Sequence, residues 1–215
     1  MIVLAIDTAG VDCAAAVFDT NSGKLLASIS ETIGRGHAER LMAMIEEALK
    51  SAGLSLKDVQ KIGVTVGPGS FTGIRVGVAA ARGLALALGV DCVGVCTLEV
   101  LASTVPATDA PVLAAINAHR DEVYVQAFRN GVPEDEPALV TLEDFLSRAA
   151  RPGTQLVGSA SALIADPEAQ TEPDHYPIEI VARISATTKA QGKAKPLYLR
   201  GPDAKPQTGF AVSRA

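Results

Sequence analysis

Ile62-Gly63-Val64-Thr65-Val66 runs straight into Gly67-Pro68-Gly69-Ser70-Phe71-Thr72-Gly73-Ile74-Arg75-Val76-Gly77. A short run rich in β-branched residues, a Gly-rich loop and an Ala-rich stretch of helical spacing read as strand, loop and helix. The helix is predicted over residues 72–88, with Gly89 as its stop. Working outward, residues 2–6, 14–18 and 25–29 read as three short strands, with a turn at Asn21-Ser22-Gly23. Leu41, Ile45, Ala48, Leu49 and Ala52 recur at helical spacing and predict a helix over residues 38–52, ended by Gly53. Residues 90–95 read as a strand, and a third helix begins at 98–102. The order β-β-β-α-β-α-β-α predicts a mixed sheet with helices on its faces, an α/β fold.

Residues 104–111, with their Pro and Thr, read as a boundary between a lobe of residues 1–104 and one of residues 105–215. The second half starts as the first did. Strands are predicted at 112–116 and 123–128, with a turn at Asn130-Gly131. Thr141 and Asp144 have the spacing of a capping box for a helix running to Ala149. A strand at 156–157, a short helix at 159–164 and a helix over 178–189 follow. The second lobe is thus expected to be a shortened echo of the first.

The chain has 215 residues, 48% hydrophobic, 4% aromatic and 20% charged, with net charge −5. Such a composition excludes intrinsic disorder. The longest apolar runs are broken by Arg82 and Asp91, which argues against a membrane span. The start meets Asp7 at once and lacks a basic segment, so it reads as a buried strand and the cytoplasm as the location. Cys13, Cys92 and Cys96 form no CxxC and read as small buried apolar residues. Acids dominate residues 134–179, opposed by Arg148 and Arg151. Beyond them the sign flips: Arg183, Lys189, Lys193, Lys195, Arg200, Lys205 and Arg214 face Asp203 alone. Such a tail can contact phosphates, or be merely solvated, the favoured reading.

The Gly-rich loop lacks the Lys and hydroxyl that follow the last Gly of a Walker loop. A structural turn with close backbone packing is favoured over a phosphate cradle. Asp7-Thr8-Ala9-Gly10 can organise magnesium, a phosphate or a turn, and the turn is favoured. His37, His119 and His175 form no metal motif, and no serine-nucleophile signature is present. Asn117 stands where a two-lobed phosphotransferase would carry a second carboxylate. The helix over 72–88 is apolar nearly all round apart from Arg75 and Arg82, so it needs cover beyond its own sheet. The first helix supplies part of that cover, and a subunit interface including this helix is favoured for the rest.

Val3-Leu4-Ala5-Ile6-Asp7-Thr8-Ala9, His37, the GPGSFTGIRVG loop, Gly83-Leu84-Ala85, residues 94–98, residues 116–124 and Pro196-Leu197-Tyr198-Leu199-Arg200 together resemble the TsaB (YeaZ) family. The resemblance implies an actin-like fold of two ribonuclease-H-like lobes, the second shortened. It implies a non-catalytic subunit of the machinery that makes threonylcarbamoyladenosine in tRNA. The paralogue TsaD would carry the metal and transfer the threonylcarbamoyl group, with the ATPase TsaE joining. No cofactor is expected on this chain; ATP or ADP and a metal belong on the partners. The first two helices would bind TsaD, through Leu41, Met42, Ile45, Gly73, Arg75, Val76, Gly77, Ala80, Arg82, Leu84 and Ala87. The family loop is Gly67, Pro68, Gly69, Ser70, Phe71, Thr72 and Gly73. Asp7 and Thr8 would be a vestigial nucleotide site. A homodimer through the same face and an indirect or weak tRNA contact are further expectations. Asn117 and His119 depart from the Asp and Arg usual in the family. Two alternatives stay open at this point: a small ATPase or kinase using Asp7 and the Gly-rich loop, and a peptidase, which the missing nucleophile and metal disfavour.

Overall fold

The computed structural model describes residues 1–200. Lys205 and Arg214 of the basic tail, and Asp203, lie outside them. The first sheet is built from β1 (Ile2–Asp7), β2 (Asp12–Asp19), β3 (Lys24–Thr32), β4 (Lys61–Gly67) and β5 (Asp91–Cys96), in the order β3-β2-β1-β4-β5. Tight turns make β1, β2 and β3 antiparallel. The helices α1 (His37–Ser51) and α2 (Phe71–Leu88) carry the chain back across the sheet, so β4 and β5 run parallel to β1. Gly53 and Gly89 lie at φ 68° and 70° just past the two helices, the left-handed stops their positions predicted.

Next come α3 (Thr97–Ala102), β6 (Val112–His119), β7 (Glu122–Arg129), β8 (Val132–Pro133), β9 (Ala138–Thr141), α4 (Leu142–Ala149), β10 (Gln155–Val157) and α5 (Ile178–Thr187). The second sheet has the order β10-β6-β7-β8, with β9 also paired to β7 and β10 parallel to β6. That is the order of the first sheet without its fifth strand. The architecture is the expected α/β arrangement of two mixed sheets with helices on their faces, the second lobe shortened. The strands β8 and β9 have no forecast, being short and only partly buried or exposed. The Thr141 hydroxyl accepts the Asp144 N–H at 3.2 Å, the first half of the expected capping box. Residues 159–164 form a 3-10 helix.

The division at residue 104 needs correcting for α5. β1, β2 and β4 are buried almost end to end, which requires cover on both faces. Side chains at 63 and 64 point to opposite faces of β4. The Val64 side chain lies at the site of Gly77 on α2, whereas Ser185 of α5 fills the space left by Gly63. So α2 covers one face and α5 the other. Ile178, Val181 and Ala182 share one core with Leu4, Ile6 and Ile62. The buried Lys61 amine caps the far end of α5, donating to the carbonyls of Ala186 and Thr188 at 3.3 and 2.6 Å. A separate core, with Phe145, Val123, Val125 and Leu163, sits between the second sheet, α4 and the 3-10 helix.

One exclusion is also corrected. By length and composition α2 is long and apolar enough to cross a membrane. In the fold it lies along β4, with Gly73, Ile74, Gly77, Val78, Ala81 and Ala85 buried.

Candidate functional site

Asp7 ends β1 wholly inside the protein. Its Oδ1 accepts the Ala9 N–H at 3.0 Å and the Thr65 hydroxyl at 2.6 Å. Its Oδ2 is buried without a hydrogen-bond partner. Burial, opposed by those hydrogen bonds, pushes the carboxyl from 3.8 up to about 6. The turn beyond it fills the Gly-rich loop. The Thr8 hydroxyl donates to the Gly73 carbonyl at 2.7 Å, and the Ser70 N–H donates to the Ala9 carbonyl at 2.7 Å. The Ser70 hydroxyl, capping α2, accepts the Gly73 N–H at 3.2 Å. A Cβ at Gly73 would collide with the Thr8 carbonyl, and one at Gly77 with the Thr8 hydroxyl. Thr97 donates to the Pro68 carbonyl from the other side at 2.6 Å. The glycines serve close packing of one turn against another, and the Ser70 and Gly73 amides are already engaged within the protein.

Beside this junction lies a cleft of about 470 Å³ between the lobes, lined by Gly10, Ser70, Asn117, His119, Ser159, Thr171, Asp174, Tyr176 and Arg200 among others. Although β6 carries Asn117 near its end, this cleft also holds a carboxylate, Asp174. Both its oxygens are taken by Ser159, at 2.7 Å to the N–H and 2.5 Å to the hydroxyl. Burial raises its pKa, against the Ser159 hydrogen bonds. Asn117 is held at both atoms of its amide: Nδ2 donates to Thr171 at 3.1 Å, and Oδ1 accepts the His119 N–H at 2.8 Å. His119, Arg120 and Asp121 then run at φ 57° to 59°, a left-handed hairpin tip. Arg200 reaches it from the chain's far end, donating to the Ala118 carbonyl at 2.9 Å and the Glu122 carboxylate at 2.5 Å.

The histidines are also placed by tertiary contacts. The buried His37 ring lies 3.1 Å from the Asp12 carbonyl. His175 meets the Asp12 carboxylate at 2.6 Å, while Thr32 donates to the other Asp12 oxygen at 2.6 Å. No group of three or more metal-binding side chains forms among the described residues. Burial pushes the Cys13 and Cys96 thiols up to about 11.

The expected interface residues separate into two sets. Leu41 and Ile45 are buried in the core, and Gly73 and Gly77 are closed off by Thr8, so these four present no surface. Val76, Ala80 and Leu84 are half-buried, and Met42, Arg75, Arg82 and Ala87 are exposed. The helical wheel weighted apolar character over depth, so it merged the core side of α2 with its outer side. The outer side also carries Phe71, Ala79, Gly83 and Leu86. Phe71 is 56% and Leu86 83% exposed, large for apolar side chains.

Residues 26–186 match the family model described as TsaD, tRNA N6-adenosine threonylcarbamoyltransferase. The tRNA threonylcarbamoyladenosine biosynthesis protein TsaB of Bacillus subtilis is 30% identical over 159 residues, 71% of this chain and 69% of that one. The chain belongs to the TsaB family. TsaB of Escherichia coli is 37% identical over 148 residues, 66% of this chain and 63% of its own length. A Pseudomonas aeruginosa structure described as similar to peptidase YEAZ superposes with a TM-score of 0.74 at 28% identity, covering 93% of this chain and 99% of the other. In this TsaB-family chain, the loop Gly67–Gly73 that carries the resemblance is where β1, β4 and α2 lock together.

Proposed function

We propose that this chain is a non-catalytic subunit of the machinery that transfers a threonylcarbamoyl group to the tRNA adenosine next to the anticodon. It acts by binding the catalytic subunit TsaD, with TsaE joining the assembly. The observation that carries this reading is the outer side of α2, where Leu86, Ala79, Gly83 and Ala87 form an exposed stripe. Small residues there let a partner helix approach closely. Burying Leu86 alone is worth about 2 kcal/mol, enough to matter in an interface. The reading of Asp7 and the loop as an ATPase site is disfavoured, because Thr8 fills the space and Asp7 is shut away from solvent. Nucleotide and metal belong on the partners. The test is co-purification with TsaD, followed by assay of tRNA modification with and without this chain. Leu86→Glu is expected to lose the complex while keeping the melting temperature. Full modification activity by TsaD and TsaE alone sinks the reading.

A further inference from the structure

Two segments far apart in sequence lie together along the β5 side of α2. One is α2 itself, which has no acid and carries Arg75 and Arg82. The other is residues 189–200, a second acid-free stretch with Lys193 and Lys195. Leu197 anchors it, its N–H donating to the Val66 carbonyl at the end of β4 at 2.8 Å. Ala194 is buried, with its backbone against the Cys92 thiol, and Arg82 lies close enough to Cys92 to act on it electrostatically. The Lys193 and Lys195 that flank Ala194 are exposed.

At the other end of this row stand two exposed rings. Tyr198 is 49% exposed and lies 5.6 Å from Phe71, centroid to centroid. Arg75 bridges them: its guanidinium sits 3.8 Å from the Phe71 ring centre, and its Nε donates to the Tyr198 hydroxyl at 2.8 Å. At about 100° per residue, Arg75 and Arg82 fall within roughly 20° of each other. They are roughly 60° from the line through Thr72, Ala79, Gly83 and Leu86. The cationic row is therefore beside the apolar stripe, not on it.

We propose that Arg75, Arg82, Lys193 and Lys195, ending in Phe71 and Tyr198, form an RNA-binding edge that contacts the phosphodiester backbone of the tRNA. Clustered cations with exposed rings at one end are the parts such surfaces use. Asp91 is the one acid on β5 and leaves the row net positive. The inference rests on the proposed role in tRNA modification, and names a contact this subunit itself makes with the substrate.

The test measures binding of unmodified tRNA to the full chain by fluorescence anisotropy, across salt concentrations. In the triple variant Arg82→Gln, Lys193→Gln, Lys195→Gln, affinity at low salt is expected to fall at least ~10-fold. The slope of log affinity against log salt should shrink by about 2 to 3, since each phosphate contact contributes about 0.7 to 0.9. A control triple, Lys24→Gln, Arg35→Gln, Lys57→Gln, removes the same charge elsewhere and should leave the slope unchanged. All six side chains are exposed, so folding should survive, as circular dichroism would verify. Equal loss in the control overturns the edge, as does an unchanged slope in the first triple. Absence of tRNA binding by the unaltered chain at low salt, or binding to anionic vesicles instead, overturns it too. Complex formation with TsaD is read separately. Its failure in the unaltered chain strikes the proposed function, whereas intact complex with unaltered tRNA affinity in the first triple strikes this inference alone.

Discussion

Replacing Asp7 by Asn changes one atom group in the deepest part of the junction. The unfolded carboxyl titrates near 3.8 and the folded one near 6, because burial disfavours its charge. Between those values the folded state holds the proton more tightly than the unfolded state. Stability from this group is therefore present in acid and is lost as pH rises through about 6. The full effect is about 3 kcal/mol, and about 2.5 of it falls between pH 4 and pH 7.5. Asn keeps the oxygen that accepts from Ala9 and Thr65, but puts an amide where Oδ2 has no partner. That fixed offset costs about 1 to 3 kcal/mol at every pH and cancels in the comparison. Urea unfolding of both proteins at pH 4, 5.5 and 7.5 gives the stability difference at each pH. The difference should move in favour of Asp7→Asn by about 2.5 kcal/mol over the range. A difference that stays flat with pH would show that Asp7 is ionised without penalty, and that the desolvated carboxylate is a misreading.

Other expectations follow from single contacts. Gly73→Ala places a methyl group against the Thr8 carbonyl, a backbone atom that cannot swing away, and should cost more than about 2 kcal/mol in thermal unfolding. Gly83→Ala, on the open side of the same helix, should instead raise stability by about 0.5 to 1 kcal/mol. Lys61→Met removes the amine that holds the end of α5. Hydrogen exchange in residues 180–188 should then speed up, with about 1 to 3 kcal/mol lost overall.

The alternating and helical patterns carried the first lobe. β1 through α3 lie within a few residues of their forecasts, because each element buries a face whose period is written locally. Gly53 and Gly89 mark their helix ends, since a left-handed stop needs no distant partner. The absence of Lys after Gly73 likewise argued for a close-packed turn, and Thr8 is what packs it.

What lay outside reach was partnership between distant residues. Nothing local says that α5 returns to the first sheet, because its apolar stripe fits either core. Asp12 meets His175 across 163 positions of chain, and Arg75 meets Tyr198 across 123. A helix wheel ranks residues by polarity, not depth, so Gly73 and Gly77 looked like surface until Thr8 was placed against them; Leu41 and Ile45, put in the interface by the family resemblance, pack into the core instead. The sequence alone determined the elements, their order and the kind of loop between β4 and α2, because those depend on short-range periodicity and backbone freedom. Tertiary structure alone decided which side of α2 is free and which cations stand beside it, because exposure is set by what the rest of the chain covers.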